Sequence, residues 1–213
     1  MNVAIIISTM YSDEGRGGFP EYLTDTGKID LRELEGVSCY CDDESLETIR
    51  NAVAGFGPEG IHIIDTGDYH YLSLLWMEKI AEPFCLVLFD NHPDDQEPAF
   101  GGLLSCGSWV AEARRRLEFM KADVWNSTTV PEGLPVYLSI DMDFLSEEYA
   151  RTDWSQGEVG LEELASMISE LKSSRRIIGA DICGGITEAK GGTDGDFAVN
   201  SRTRERIIEL LRH

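Results

Sequence analysis

A three-layer α/β/α fold built on a mostly parallel sheet is what this sequence predicts. Short apolar runs alternate along the chain with segments of helical spacing, the pattern of strands joined by crossover helices. Several of these runs lack polar alternation, as strands covered on both faces do. Acidic residues and histidines recur just after the runs, at the carboxyl ends of strands, where open α/β sheets bind ligands.

Val3–Ile7 reads as the first strand, and a long loop rich in glycine and acidic residues, Thr9–Lys28, follows it. Glu44–Val53 has helical spacing through Leu46, Ile49 and Val53. Ile61–Ile64 is a strand, and Tyr71–Ala81 a helix that turns Leu72, Leu75 and Ile80 inward. Cys85–Phe89 lies in the unbroken apolar run from Pro83 and is a buried strand; a helix around Ser108–Met120 comes after a glycine-containing loop. Then follow a strand at Val136–Ile140, a helix at Leu161–Leu171, a strand at Ile177–Asp181 and a helix at Arg202–Leu211. A second glycine-rich loop, Gly184–Asn200, follows the last strand, and loops this long are usually functional or disordered. The whole chain, 1–213, is expected to form one domain, with no internal repeat.

The 18 basic residues against 39 acidic ones leave a formal charge of −21. That balance speaks against nucleic-acid backbones and anionic membranes as partners, since both need a basic face. It suits a cation, although most of these carboxylates read as ordinary solvated surface. No segment approaches the roughly 20 apolar residues that span a bilayer. The N-terminus has no basic stretch ahead of an apolar one. Five scattered cysteines, with Cys85 and Cys183 in apolar strands, fit reduced thiols in a cytoplasmic protein. The sequence does not select an oligomeric state.

Three strand ends carry the chemistry. Gly67-Asp68-Tyr69-His70 follows Ile61–Ile64, Asp90-Asn91-His92-Pro93-Asp94 follows the strand ending at Phe89, and Asp141-Met142-Asp143 follows Val136–Ile140. Asp90 and His92 stand two apart, as do Asp141 and Asp143, so in extended backbone each pair points one way. Carboxylates with imidazoles are a ligand set for manganese, zinc or iron. Asp90, Asp94, Asp141 and Asp143 bring four negative charges that two divalent cations would balance; without cations they would repel one another. A water bridging two such ions becomes a nucleophile near neutral pH. Some neighbours read otherwise: Asp68 is equally a helix N-cap, and His62, inside Ile61–Ile64, is a hydrogen-bonded core or edge histidine. His213 is terminal and carries no information.

In this order the three elements resemble the ureohydrolase superfamily, which comprises arginases, agmatinases and formiminoglutamases and is distantly related to the deacetylase fold. The resemblance spans roughly Ile61 to Asp181 and implies an arginase-like domain. It implies one ion held by His70, Asp90, Asp94 and Asp141 and another by Asp90, His92, Asp141 and Asp143. Family members usually use two manganese ions. The departures are equally specific. The third motif continues with Ser146-Glu147 where the family has Asp-Pro. Gly101–Ser108 lacks the family's proton-transfer histidine, and Ala180-Asp181-Ile182-Cys183-Gly184-Gly185 has glycine where its guanidinium-binding glutamate would align. The metal centre is thus expected without the arginine-specific apparatus, which points away from an arginase.

The expected function is a metal-dependent hydrolase of a C–N bond, in an amide, amidine or guanidino compound, acting through a bridging hydroxide. Asp143 would orient the nucleophile, and Glu188 or Ser108 would replace the missing polar groups. The alternatives are a non-catalytic metal- or ligand-binding protein of the same fold and a metallophosphoesterase.

Overall fold

The computed structural model describes residues 1–16, 19–99 and 101–212, so two glycines of the first long loop, Phe100 and His213 lie outside the described residues. Seven strands form one sheet: β1 (Val3–Ile6), β2 (Gly27–Asp30), β4 (Gly60–Ile63), β5 (Phe84–Phe89), β7 (Met120–Trp125), β8 (Val136–Asp141) and β9 (Ile177–Cys183). Their order is β2-β1-β4-β9-β8-β5-β7 and every pairing is parallel. A two-residue antiparallel pair, β3 (Tyr40–Cys41) with β6 (Leu104–Ser105), stands apart from it.

Alternation along each strand divides the core in two. Val3 and Ile5 join the cluster containing Leu46, Trp76 and Trp109, while Ala4 and Ile6 join the one containing Met10, Leu164 and Ile207. Phe84, Leu86 and Leu88 divide from Cys85, Val87 and Phe89 in the same way. Successive side chains leave opposite faces of a strand, and both faces are covered, so these strands read as unbroken apolar runs. The first cluster packs under α2 (Asp43–Ala52), α3 (Ser73–Met77) and α4 (Trp109–Arg116). The second packs under α1 (Met10–Gly15), α5 (Leu161–Ser174) and α6 (Asp194–Arg212). This is the three-layer α/β/α arrangement the sequence predicts.

Several elements differ from the sequence expectations. The first long loop contains α1, a 3-10 turn at Glu21–Leu23 and the start of β2. Met10 and Tyr11 anchor α1 in the core, and Glu14 makes a fully buried ion pair with Arg204 of α6 at 2.8 Å. The helix expected over Tyr71–Ala81 begins earlier as a 3-10 helix, Gly67–Leu72, and continues as the short α3. The helix expected to reach Met120 ends at Arg116, and Met120 opens the edge strand β7. Half-buried on an edge, β7 has no continuous apolar run to advertise it. The last helix starts eight residues before the expected Arg202, inside the glycine-rich loop. Thr193 and Asp196 cap it reciprocally: Thr193 N–H donates to the Asp196 carboxylate at 2.9 Å, and Asp196 N–H donates to Thr193 Oγ1 at 3.4 Å.

The three acidic motifs follow β4, β5 and β8. These strands and β9 are the four consecutive inner strands β4-β9-β8-β5, so parallel pairing delivers all three motifs to one edge of the sheet.

Candidate metal centre

β5 ends at Phe89, and Asp90 stands just beyond it, 1% exposed. Its main chain is pinned from the edge strand: Asp90 N–H donates to Asn126 Oδ1 at 3.0 Å, while Asn126 Nδ2 and Trp125 Nε1 donate to the Asp90 carbonyl at 2.7 and 2.9 Å. The turn that follows has Asp94 at φ +47°, a conformation aspartate tolerates better than most residues. Asp94 Oδ2 accepts from the Trp109 indole at 2.7 Å. At the end of β8, Asp141 Oδ1 accepts from Asp143 N–H at 2.8 Å, and Asp143 Oδ1 accepts from Asn91 N–H at 3.0 Å.

Two imidazoles face this acidic cluster with the same nitrogen. His70 Nδ1 lies 3.1 Å from Asp90 Oδ2, 3.2 Å from Asp94 Oδ2 and 3.4 Å from Asp141 Oδ2. His92 Nδ1 lies 2.9 Å from Asp143 Oδ2 and 3.5 Å from Asp90 Oδ1. Potential ligand atoms of His70, Asp90 and Asp94 lie within 4.8 Å of one another, as do those of Asp90, His92 and Asp143. Asp90 belongs to both groups. A third group joins His70 and Asp141 to Cys183, a fully buried thiol that the sequence marks only as strand interior.

The far nitrogens explain why Nδ1 points inward. Ser139 Oγ donates to Asp181 Oδ1 at 2.7 Å, so it accepts from His70 Nε2–H at 2.9 Å. His92 Nε2 meets Ser155 Oγ at 2.9 Å. A histidine that spends its outer nitrogen on a hydrogen bond offers the inner one to a metal.

Without a cation the cluster is strained electrostatically. Burial and the neighbouring Asp143 and Asp90 carboxylates push Asp141 well above the usual carboxylate range. Burial raises Asp143 to about 6, against the pull of His92. Burial would also raise Asp90, yet the imidazoles of His70 and His92 hold it down to about 2. Burial disfavours a charged His70, but Asp90 and Asp94 keep its pKa well above the ordinary value. Carboxylates buried this closely are costly unless cations balance them. The donor set, oxygens with two imidazole nitrogens, suits divalent manganese, zinc or iron.

All six expected ligands (His70, Asp90, His92, Asp94, Asp141 and Asp143) line one cleft of about 270 Å³. Two other expected residues are not brought there. Ser108 is 1% exposed, and its Oγ is tied to Ser105 Oγ at 2.8 Å and accepts from Ser105 N–H at 3.2 Å; it shapes the turn into α4. Glu188 lies on the surface, paired with Arg16 at 3.3 Å. Asp68 is not a helix cap; it accepts from Ser38 Oγ at 2.7 Å and from Trp154 Nε1 at 3.1 Å. His62 is the expected core histidine. It stacks on Trp76 with ring centroids 3.9 Å apart, meets the Tyr137 hydroxyl at 3.0 Å, and burial lowers its pKa to about 3.

The sequence reading misses the strap from Arg151 to Gly157, which runs along the cleft. Asn91 Nδ2 donates to the Ser155 carbonyl at 2.9 Å, Gly157 N–H donates to the Asp143 carbonyl at 2.7 Å, and Trp154 lines the cavity. No periodicity marks this segment. Ser139 and Asp181, by contrast, stand in motifs the sequence displays, at positions given no role.

No protein-family model matches the chain. A Thermotoga maritima protein described only as uncharacterized is 33% identical in a 172-position alignment that covers 72% of this chain and 68% of that protein. Solved structures repeat the architecture. An arginase of Entamoeba histolytica superposes with a TM-score of 0.66 at 14% identity, covering 99% of this chain and 97% of its own. Proclavaminate amidino hydrolase of Streptomyces clavuligerus gives 0.64 at 12% identity, with 99% and 92% covered. A hypothetical agmatinase of Burkholderia thailandensis gives 0.63 at 16% identity, with 99% and 85% covered.

Proposed function

We propose that this chain, which belongs to one family with the Thermotoga maritima protein and has the ureohydrolase fold, is a metal-dependent hydrolase of a C–N bond in a small amide, amidine or guanidino compound. The observation that carries the reading is the pair of Nδ1 atoms, on His70 and His92, turned onto buried aspartates with Asp90 common to both. His70, Asp90, Asp94 and Asp141 would hold one divalent ion, and His92, Asp90, Asp141 and Asp143 a second, manganese fitting the donor set. Such ions would supply Lewis-acid activation of water near neutral pH.

The chain's own residues do the rest. Asp90 turns Oδ2 toward His70 and Oδ1 toward His92, so one carboxylate serves both halves of the centre. Asp143 keeps Oδ1 on the Asn91 N–H and leaves Oδ2 beside His92, where it would orient the attacking water and take its proton. Ser139 and Asp181 hold the His70 ring, and Ser155 holds the His92 ring. The 151–157 strap is tied to Asn91 and Asp143 and borders one side of the cleft.

A non-catalytic, metal- or ligand-binding role is the second reading. In its favour, no histidine or carboxylate outside the six is among the described residues lining the cleft. Elemental analysis after manganese reconstitution, paired with a screen for ammonia, amine or urea release, tests both. About two ions per chain, lost in Asp141→Ala, with turnover of a C–N substrate, supports the hydrolase. The same ions without turnover favour the second reading. Absence of bound metal overturns both as metal proteins, and hydrolysis of an aryl phosphate instead would redirect the reaction class.

A further inference from the structure

The floor of the cleft is charged and its walls are not. Tyr40 and Trp154 contribute ring surface, Cys39 and Cys106 thiols, and Gln96 and Ser105 uncharged polar groups. Among the described lining residues there is no lysine, no arginine and no carboxylate beyond the metal cluster. Burial pushes both thiols up, so they stay uncharged.

Two glycines show that this wall is built rather than incidental. At Gly67 a Cβ would come within 2.8 Å of Trp154 Cδ1, so the indole lies against bare backbone. Its N–H is held by Asp68, and its ring meets His92 edge-on at 5.9 Å. Trp154 nevertheless stays 40% exposed. Asp68, the carboxylate behind it, is committed to Ser38 and Trp154 and stands 3.8 Å from Lys190 Nζ, which leaves it little charge to offer a ligand. At Gly184 the bare backbone packs directly against Asp141 and Met142, so this position brings no charge to the cluster.

Resting on the metal-hydrolase reading above, we infer that the substrate carries, next to its scissile C–N bond, an uncharged flat group that packs on the Trp154 indole. A cationic or anionic tail entering this small cavity gives up hydration and finds no partner. A planar group finds ring surface, and an aromatic contact is worth about 1 kcal/mol beyond the area it buries. The charged floor is already balanced when two divalent ions sit on four aspartates, so it offers a tail no net charge.

Three hydroxamates with one metal-binding head and different tails test this by calorimetry on the manganese-reconstituted chain, with metal content measured on every sample. The probes are benzohydroxamate, 6-aminohexanohydroxamate and the monohydroxamate of succinate. Benzohydroxamate is expected to bind about tenfold or more tighter than either charged probe. Trp154→Ala and Trp154→Leu should shrink that preference to about threefold or less, and Trp154→Phe should keep it. Because the leucine variant retains apolar bulk without a ring, it separates stacking from filling. A charged probe that binds as tightly as benzohydroxamate overturns the inference, as does an undiminished preference in a folded, metal-loaded leucine variant. If the chain holds metal and binds none of the three, the inference falls alone. If it holds no metal, the hydrolase reading falls with it.

Discussion

Ser139 and Ser155 do similar work for the two imidazoles in opposite surroundings. Ser139 is fully buried between His70 and Asp181, whereas Ser155 is exposed beside a half-buried His92. Water can replace the Ser155 hydroxyl but not that of Ser139. Ser139→Ala is therefore expected to weaken manganese binding by about 10- to 100-fold, and Ser155→Ala by less than about tenfold. Chelator competition measures both, and equal losses would disprove the argument from burial. His62 gives a second test at this scale. Its folded pKa of about 3 lies below the ordinary 6.5, so the unfolded chain binds the extra proton between those values. Stability from this residue is whole above pH 6.5 and is lost as pH falls toward 3, by at most about 1.4 kcal/mol per unit. Proton NMR should show no His62 titration between pH 8 and 5. His62→Phe, which keeps a ring on Trp76, should flatten the acid limb of the stability profile.

Among the elements, the end of β9 is the most constrained. Gly184 has φ +96°, and its carbonyl accepts from the buried Arg204 Nη2 at 2.6 Å. Arg204 is held in turn by Glu14, so α1 and α6 together fix the backbone beside Asp141. Gly184→Ala adds a Cβ that must displace Asp141 Oδ1 and also strains the backbone by about 1–3 kcal/mol. Lower thermal stability together with weakened metal binding is expected. A variant that lost stability but bound metal normally would show that the Asp141 carboxylate tolerates the intrusion. Gly184, one of the two glycines that stand where the ureohydrolase resemblance looks for a glutamate, thus packs tightly against Asp141 and Met142.

For the whole molecule, the charge of −21 and the placement of the aspartates combine. Parallel strand pairing brings together, at the ends of β4, β5 and β8, carboxylates that repel one another without cations. Bound metal should then stabilise the fold by about 2.7 kcal/mol at a free concentration a hundredfold above the dissociation constant. Chelation should lower the melting temperature accordingly. Added salt should restore little of that loss, because screening hardly reaches carboxylates buried this deeply. Full restoration by salt alone would count against a buried acidic cluster as the cause. No helix among the described residues is long and apolar enough to cross a membrane.

By itself the sequence determined the sheet's inner strands, the three-layer arrangement and the six side chains at the cluster. Each of these follows from local chemistry: strands buried on both faces must be apolar throughout, and a polar run at such a strand's end has few uses other than a ligand site. The edge strand β7, α1 and the first turns of α6 were hidden because half-buried edges and glycine-containing caps carry weak periodic signals, although the Thr193–Asp196 pair was there to be read. Only the tertiary structure decided that Ser108 and Glu188 stay away from the cleft while Trp154, Ser155 and Asp181 serve it. Those placements depend on contacts between residues such as Trp154 and Asp68, far apart in the chain and adjacent only once the inner strands have paired in register, and no local pattern encodes such an encounter.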